Sequence, residues 1–259
     1  MSSLLFEKNG GVGRITLNRP ESYNSINRET ALAFQAALDA CAADENIRAV
    51  MITGAGKAFC AGQDLVEVTN PELMPGFPTI LREHYTPIIE KITQLPKPVV
   101  AAVNGVAAGA GANIALACDI VIATEKASFI QAFSAIGLIP DSAGTYFLPR
   151  LIGFQKAKAL AMMGDKVSAQ EAESMGMIYK FFPVDTFMAE AEKLAAKLAH
   201  MPTRGLALTK QAFHGSMERS LTEQLVLENE LQVTASETED YQEGVAAFLE
   251  KRKAVFKGK

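Results

Sequence analysis

Residues 95–123 read LPKPVVAAVNGVAAGAGANIALACDIVIA, and this stretch decides the fold. Its apolar runs at residues 98–103 and 120–123 are short and nearly continuous in Val, Ile and Ala, as expected of strands that are buried on both faces. The small residues between them predict a tightly packed helix over about residues 109–117. Strands that alternate with helices in this way indicate an α/β fold.

The same alternation continues towards the N-terminus. Residues 4–20, LLFEKNGGVGRITLNRP, predict a hairpin that turns at residues 9–11. Asn27 is expected to cap a helix over residues 28–44, and residues 47–54, IRAVMITG, are typical of another short buried strand.

The chain changes character after about Gly153. From there to the end, apolar residues recur with helical periodicity almost throughout. We therefore predict an α/β core over residues 1–195 and a helical C-terminal region over residues 196–259.

The charge of the chain argues against nucleic acid as a partner. Its 259 residues carry 25 Lys and Arg against 29 Asp and Glu, a formal net charge of −4, and no basic stripe stands out. The charge-free run of residues 98–118 has the length of a membrane span, but Asn104, Asn113 and several glycines interrupt it. We expect a buried strand and helix there, and no membrane association.

The cysteines and histidines suggest no metal site. Cys41, Cys60 and Cys118 are an odd number without CxxC spacing, so neither a disulfide framework nor a zinc knuckle is indicated. Unpaired thiols fit a reducing cytoplasm, and the N-terminus lacks the pattern of a secretory signal. The histidines are scattered and no G-x-S-x-G elbow is present, which disfavours a serine hydrolase.

Two glycine-rich segments are candidates for binding an anion. Residues 54–65, GAGKAFCAGQDL, lead a strand into a loop whose backbone N–H groups would serve as oxyanion donors, unless the loop is a plain connection. Gly109 and Gly111 open the small-residue helix, but the dinucleotide fingerprint fails because Ile114 stands at its last position. The N-terminus of that helix either faces a developing negative charge or serves close packing only.

Asp141 is the only charged residue from Phe129 to Phe147. It stands in FSAIGLIPDSAGTYFLPR, residues 133–150. A carboxylate in front of Ser-Ala-Gly is a candidate helix cap. It is also a candidate proton carrier, since an apolar setting raises the pKa of a carboxyl group.

Four stretches together resemble the enoyl-CoA hydratase/isomerase (crotonase) superfamily: residues 54–65, 95–123, 133–153 and the terminal YQEGVAAFLEKRKAVFKGK at 241–259. They occur in family order over nearly the whole chain. The resemblance implies a spiral of repeated ββα units followed by a helical C-terminal trimerisation region. It also implies homotrimers or homohexamers and acyl-CoA substrates, with coenzyme A bound as part of the substrate and no tightly bound cofactor or metal.

The family positions imply a role for each candidate residue. The backbone N–H groups of Gln63 and Ala110 correspond to the oxyanion hole, and the identity of the Gln63 side chain need not matter because the donors are main-chain groups. The two hydratase glutamates align with Asn113 and Phe133, whereas Asp141 stands where some family isomerases have a catalytic aspartate. The residues expected to bind CoA or substrate are Ala61, Asp64, Leu65, Gly109, Asn113, Phe133, Phe248 and Lys251, the last two in the site of a neighbouring subunit.

These residues favour an isomerase over a hydratase. A single carboxylate suits a double-bond shift, because it can take a proton from one carbon and return it to another. The segments around Ala110 and Asp141 resemble the branch of the family that opens an aromatic acyl-CoA epoxide in phenylacetate breakdown. The alternatives are a hydratase that uses Asp141 with a water held by Asn113, and a non-catalytic acyl-CoA-binding subunit.

Overall fold

The computed structural model describes residues 2–259 and contains two β-sheets with helices packed around them. The strands are β1 Leu4–Asn9, β2 Val12–Leu17, β3 Ala49–Gly54, β4 Ala58–Cys60, β5 Val99–Val103, β6 Val106–Ala108, β7 Ile120–Thr124, β8 Ser128–Ile130, β9 Lys166–Ser168 and β10 Lys180–Phe182. One sheet has six strands in the order β1-β2-β3-β5-β7-β10, and the other has four in the order β4-β6-β8-β9.

Helices connect the strands and form the C-terminal part of the chain. They are α1 Arg28–Ala43, α2 Leu65–Thr69, α3 Phe77–Thr79, α4 Thr86–Gln94, α5 Ala110–Leu116, α6 Gly144–Ile152, α7 Phe154–Met163, α8 Ala169–Ser174, α9 Val184–Ala199, α10 Thr203–Phe213, α11 Leu221–Ser236 and α12 Glu239–Leu249. A π-helical segment, Ile80–Tyr85, joins α3 to α4.

The larger sheet confirms the predicted alternation. β1 and β2 form the antiparallel hairpin, and β2, β3, β5, β7 and β10 pair in parallel from there. Every residue of β3 and β5 is buried, which explains why their sequences are continuously apolar. Asn27 caps α1 as predicted, because its Oδ1 accepts a hydrogen bond of 3.0 Å from Thr30 N–H.

Each central strand of the larger sheet leads directly into a strand of the smaller sheet, and a helix follows. The sequences β3-β4-α2, β5-β6-α5 and β7-β8-α6 repeat this ββα unit, so the predicted crotonase fold is confirmed. The turns are tight: a Cβ on Gly105 would lie 2.0 Å from Lys57 O. Because β4 and β6 pair in parallel, the loops that follow them, which carry Gln63 and Ala110, emerge side by side.

Helix α9 covers one face of the larger sheet. Its residues Phe187, Ala191 and Ala195 lie in a buried cluster with Met51 and Val100 of the sheet. The predicted boundary between residues 195 and 196 falls inside this helix, so the secondary structure has no break there. Helices α10, α11 and α12 follow, and α11 has no buried residue.

The charge-free run of residues 98–118 is divided among β5, β6 and α5. Within residues 2–259, none of the helices combines the length and the apolar character that crossing a bilayer requires.

Candidate active site

A cavity of about 530 Å³ lies beside the loops that follow β4 and β6. Its walls are mainly apolar, and residues between β8 and α6 close one side. The predicted site residues that line it are Ala61, Gln63, Asp64, Leu65, Gly109, Ala110, Phe133 and Asp141. Asn113, Phe248 and Lys251 are not part of its wall.

The two predicted oxyanion donors have no acceptor within the described chain. The residues on either side of Gln63 both pair with Ile26. Gly62 O accepts a hydrogen bond of 2.7 Å from Ile26 N–H, and Asp64 N–H donates one of 2.9 Å to Ile26 O. Gln63 N–H itself takes no part in this pairing. Ala110 is the first residue of α5, so its N–H has no intrahelical acceptor. Both N–H groups are therefore available to an oxygen atom in the cavity.

Gly62 brings the two donor loops together. Its φ of +88° lies in the left-handed region, which glycine adopts without a steric cost. A Cβ on Gly62 would lie 3.0 Å from Ala108 O and 3.3 Å from Ala110 N. Since Gln63 follows Gly62 directly, this close approach places the two donor residues on adjacent parts of the wall.

The side chain of Gln63 is held at both ends. The Tyr85 hydroxyl donates to Gln63 Oε1 at 3.0 Å, and Gln63 Nε2 donates to Glu67 Oε2 at 2.8 Å. Glu67 Oε1 in turn accepts from Arg28 N–H at 2.8 Å. The side chain of Gln63 is thus hydrogen-bonded at both ends, and this network fixes the residue that carries one of the predicted oxyanion donors.

Asp141 presents its carboxylate to the apolar cavity. The Ser142 hydroxyl donates to Asp141 Oδ1 at 2.9 Å, and burial raises the pKa of Asp141 above its ordinary value of 3.8 against the opposing effect of that bond. The helix-cap interpretation is wrong: α6 begins at Gly144, and the residue in front of it is Ala143, which has no side-chain cap. The proton-carrier interpretation of Asp141 stays a prediction.

Asp64 is the other carboxylate on the wall, and it is already paired. Arg19 Nη2 lies 2.7 Å from Asp64 Oδ2, and Val66 N–H donates to Asp64 Oδ1 at 2.9 Å at the start of α2. Asp141 is therefore the carboxylate of the wall that has no cationic partner within residues 2–259. In the same range no group of three or more His, Cys, Asp or Glu could hold a metal ion.

Asn113 lies behind the wall and is fully buried. Its Nδ2 donates to Asp141 O at 2.8 Å, and its Oδ1 accepts from Gln131 Nε2 at 2.8 Å. The predicted contact between Asn113 and substrate is corrected to a contact with the main chain of Asp141, because protein groups occupy both ends of the amide. A water held by Asn113 for hydration has no support for the same reason.

The remaining predicted residues fall into two groups. Phe133 is buried against the cavity, and a Cβ on Gly109 would lie 3.8 Å from Phe133 Cζ. Phe248 and Lys251 lie at the end of α12 and beyond it, and the Phe248 side chain is 83% exposed. Their contact with the CoA of a neighbouring subunit stays a prediction.

Sequence analysis missed Tyr85 and Glu67. Tyr85 stands in an ordinary amphipathic stretch, where nothing separates an aromatic residue of the core from one that lines a site. Glu67 reads as a solvent-facing acid three residues after Asp64, yet it is buried.

Two N–H groups without acceptors and an unpaired carboxylate lie in one apolar cavity. Such an arrangement can stabilise a developing negative charge on oxygen and exchange a proton. The sequence matches the family described as "Enoyl-CoA hydratase/isomerase" over residues 7–259. The chain therefore belongs to the enoyl-CoA hydratase/isomerase family.

Its relatives include both activities of that family. The chain is 45% identical to the 1,2-epoxyphenylacetyl-CoA isomerase of Escherichia coli K12, over 100% of both chains. It is 43% identical to a "Probable enoyl-CoA hydratase" of Rhodobacter capsulatus, over 99% of this chain and 98% of the relative. The crystal structure of an enoyl-CoA hydratase from Bacillus anthracis superposes with a TM-score of 0.92 at 35% identity, over 99% of this chain and 100% of that one.

Proposed function

We propose that this enzyme is an acyl-CoA isomerase in which Asp141 moves the proton. The observation that carries the proposal is the position of Asp141: a carboxylate without a cationic partner faces the cavity that the Gln63 and Ala110 N–H groups also reach. The hydratase glutamates are replaced by Asn113, whose amide is occupied, and by Phe133. One carboxylate is what a proton shift between two carbons needs.

The chemistry follows from these groups. Ionised Asp141 removes a proton from an acidic carbon of the thioester, and the electron pair moves onto the thioester oxygen. The Gln63 and Ala110 N–H groups stabilise the resulting enolate, each by about 2.7–4 kcal/mol if they behave as other oxyanion donors do. Protonated Asp141 then returns the proton to a different carbon, so the carboxylate is regenerated and no atom is gained or lost.

We propose a cyclic epoxide as the acyl group, as in 2-(1,2-epoxy-1,2-dihydrophenyl)acetyl-CoA. The support is the name of the Escherichia coli relative together with the aromatic and aliphatic wall of the cavity, which includes Phe133, Tyr85 and Leu138. Such a substrate has an acidic carbon next to the thioester, from which Asp141 would take the proton. The bond between the two ring carbons that share the epoxide oxygen breaks as the ring expands to a seven-membered oxepin, and Asp141 returns the proton to a ring carbon, so that substrate and product have the same atoms. This assignment places the enzyme in phenylacetate breakdown.

The proposal extends to the rest of the CoA ester and to the assembly. Ala61, Asp64 and Leu65 line the cavity next to Gln63 and would contact the CoA chain. Phe248 and Lys251 would reach the CoA of a neighbouring subunit in a trimer or hexamer. A cytoplasmic location fits the three free thiols, all of them buried.

The test is a comparison of wild-type enzyme and Asp141→Asn with ring-epoxide, 3-enoyl and 2-enoyl CoA thioesters, followed by ultraviolet absorbance. Isomerisation should fall by about 10²–10⁴-fold in the variant, while calorimetry shows near-normal binding of the CoA ester. Turnover retained in Asp141→Asn would refute the assignment. Faster hydration of crotonyl-CoA than isomerisation of any substrate would favour a hydratase, and tight binding without a mass or spectral change would favour a binding subunit.

A further inference from the structure

We propose that Asn113 is a positioning residue for the carboxylate of Asp141, an inference that rests on the proposed function. Asn113 does not reach the cavity, and the only link from its side chain to the site is the 2.8 Å hydrogen bond from Nδ2 to Asp141 O. The role of the amide is therefore to fix the main chain from which the Asp141 side chain projects.

The backbone after Asp141 needs such support. Ser142 and Ala143 have φ values of +49° and +59°, so two consecutive residues with a Cβ adopt the left-handed region. This conformation costs roughly 1–2 kcal/mol per residue and persists only where the surroundings enforce it. Within the segment, Gly144 N–H donates to Asp141 O at 2.8 Å. Asn113 supplies the second donor to that oxygen, from a different helix.

The carbonyl of Asp141 determines which way the Asn113 amide points, because a carbonyl oxygen only accepts a hydrogen bond. The nitrogen end of the amide therefore faces Asp141 O, and the oxygen end accepts from Gln131 Nε2. A flipped Asn113 amide would place two acceptors against each other at Asp141. The orientation of Asn113 therefore follows from the network itself.

Gly144 closes this arrangement from the side of α6. A Cβ at that position would lie 2.3 Å from Asn113 Nδ2 and 2.6 Å from Asn113 Cγ, so any larger residue would displace the amide. The glycine at the start of α6 is thus explained by the position of Asn113 rather than by its own conformation.

The same contact explains why residue 113 carries a donor. A glutamate at residue 113, as in the family's hydratases, has no proton to donate when ionised and would repel Asp141 O. The present backbone at residue 141 therefore favours a donor at residue 113, which asparagine supplies. A role in packing α5 against α6 alone would not require a donor.

The experiment uses Asn113→Leu, which keeps the approximate shape but removes the donor to Asp141 O, and Gln131→Met, which removes the donor to Asn113 Oδ1. We expect kcat of Asn113→Leu to fall by about 10²-fold, the cost of a misplacement near 1 Å, with KM nearly unchanged. The acid limb of the kcat profile should move to higher pH, because a displaced main chain would weaken the Ser142 hydrogen bond that lowers the pKa of Asp141. Gln131→Met should show a smaller change in the same directions.

Two controls separate this inference from its alternatives. Acetoacetyl-CoA, which forms an enolate with a characteristic ultraviolet band, reports on the Gln63 and Ala110 donors without Asp141, and the band should be unchanged in both variants. If Asn113→Leu has the same kcat and pH profile as the wild type, the positioning role is overturned. It is also overturned if the loss of kcat is matched by a loss of the enolate band. If Asp141→Asn itself retains turnover, the proposed function fails first; if it is inactive while Asn113→Leu is normal, only this inference fails.

Discussion

The hydroxyl of Tyr85 and the side-chain amide of Gln63 are joined by a hydrogen bond of 3.0 Å, in which the hydroxyl donates to Gln63 Oε1. Burial raises the pKa of Tyr85 well above its ordinary value of 10.0, so the hydroxyl keeps its proton throughout the neutral range. Glu67 holds the opposite end of the same amide. The residue that carries one oxyanion donor is therefore anchored to the π-helical segment and to α2.

Tyr85→Phe should weaken the oxyanion hole without changing the shape of the cavity. The substitution removes one buried hydrogen bond, worth about 0.5–1.5 kcal/mol, so kcat/KM should fall roughly 2–13-fold. The acetoacetyl-CoA enolate band should weaken in parallel. Tyr241→Phe is the matched control, since Tyr241 is 52% exposed and does not line the cavity. An unchanged rate and band in Tyr85→Phe would show that the network does not support the donor.

Gly62→Ala should separate the two donor loops. The added Cβ would meet Ala108 O at 3.0 Å and Ala110 N at 3.3 Å, in addition to the strain of a positive φ. We expect a loss of kcat of at least about tenfold, since the loss of one donor costs more than that. Gly10→Ala is the control: Gly10 also has a positive φ, but its Cβ would meet nothing within 4 Å. Equal activity losses in both variants would indicate general strain rather than displaced donors.

The sequence predicts the elements of this fold well because each carries a local signal. The buried strands at β3, β5 and β7 are continuous apolar runs, and Asn27 is a cap readable from its neighbours. Asp141 and the two glycine-rich segments stand out in the sequence itself, whereas the choice of Gln63 and Ala110 as the donor residues rests on the resemblance. All three residues line one cavity.

The sequence carries no local signal for the contacts behind the cavity wall. Asn113 has the residue type of a substrate-binding group, and only its hydrogen bonds to Asp141 and Gln131 show that it faces the protein. The sequence suggested a helix that Asp141 caps, but α6 begins only at Gly144 because Ser142 and Ala143 adopt left-handed φ values. No intrinsic propensity favours alanine in that conformation. Long-range hydrogen bonds and strained backbone leave little trace in a single sequence.

Lys251→Ala should impair the use of CoA esters specifically. If Lys251 reaches the phosphates of a neighbouring subunit's CoA, its removal should raise KM about 5–10-fold, as expected for a lost charge-assisted bond of 1–1.4 kcal/mol. The KM for the corresponding N-acetylcysteamine thioester, which lacks the phosphates, should not change. Lys253→Ala is the control from the same tail. An equal KM increase with both thioesters, or none with either, would contradict the assignment.

Rate should depend on pH through Asp141. Burial raises the pKa of this carboxyl group above 3.8, and the group must be ionised to accept a proton. The acid limb of kcat/KM should therefore lie at higher pH than the titration of an exposed aspartate. A profile of kcat/KM over pH 3–8 would locate it. An acid limb at or below 3.8 would contradict the buried-carboxylate mechanism.

The raised pKa of Asp141 also means that its ionised side chain destabilises the folded protein at neutral pH. Because the folded-state pKa lies above the unfolded-state value, the folded protein binds the proton more tightly, and stability falls as pH rises from about 3.8 through the folded pKa. Asp141→Asn removes this ionisation, so the variant should have a higher Tm than the wild type at pH 7, although it is the less active enzyme. The difference should shrink as the pH is lowered through that window, which thermal unfolding at several pH values would measure.

Ser142→Ala serves as the control, since loss of its 2.9 Å bond to Asp141 Oδ1 should raise the pKa of Asp141 further and enlarge the pH dependence of stability. A wild type that is as stable as Asp141→Asn at every pH would show that the carboxylate is not desolvated in the folded enzyme.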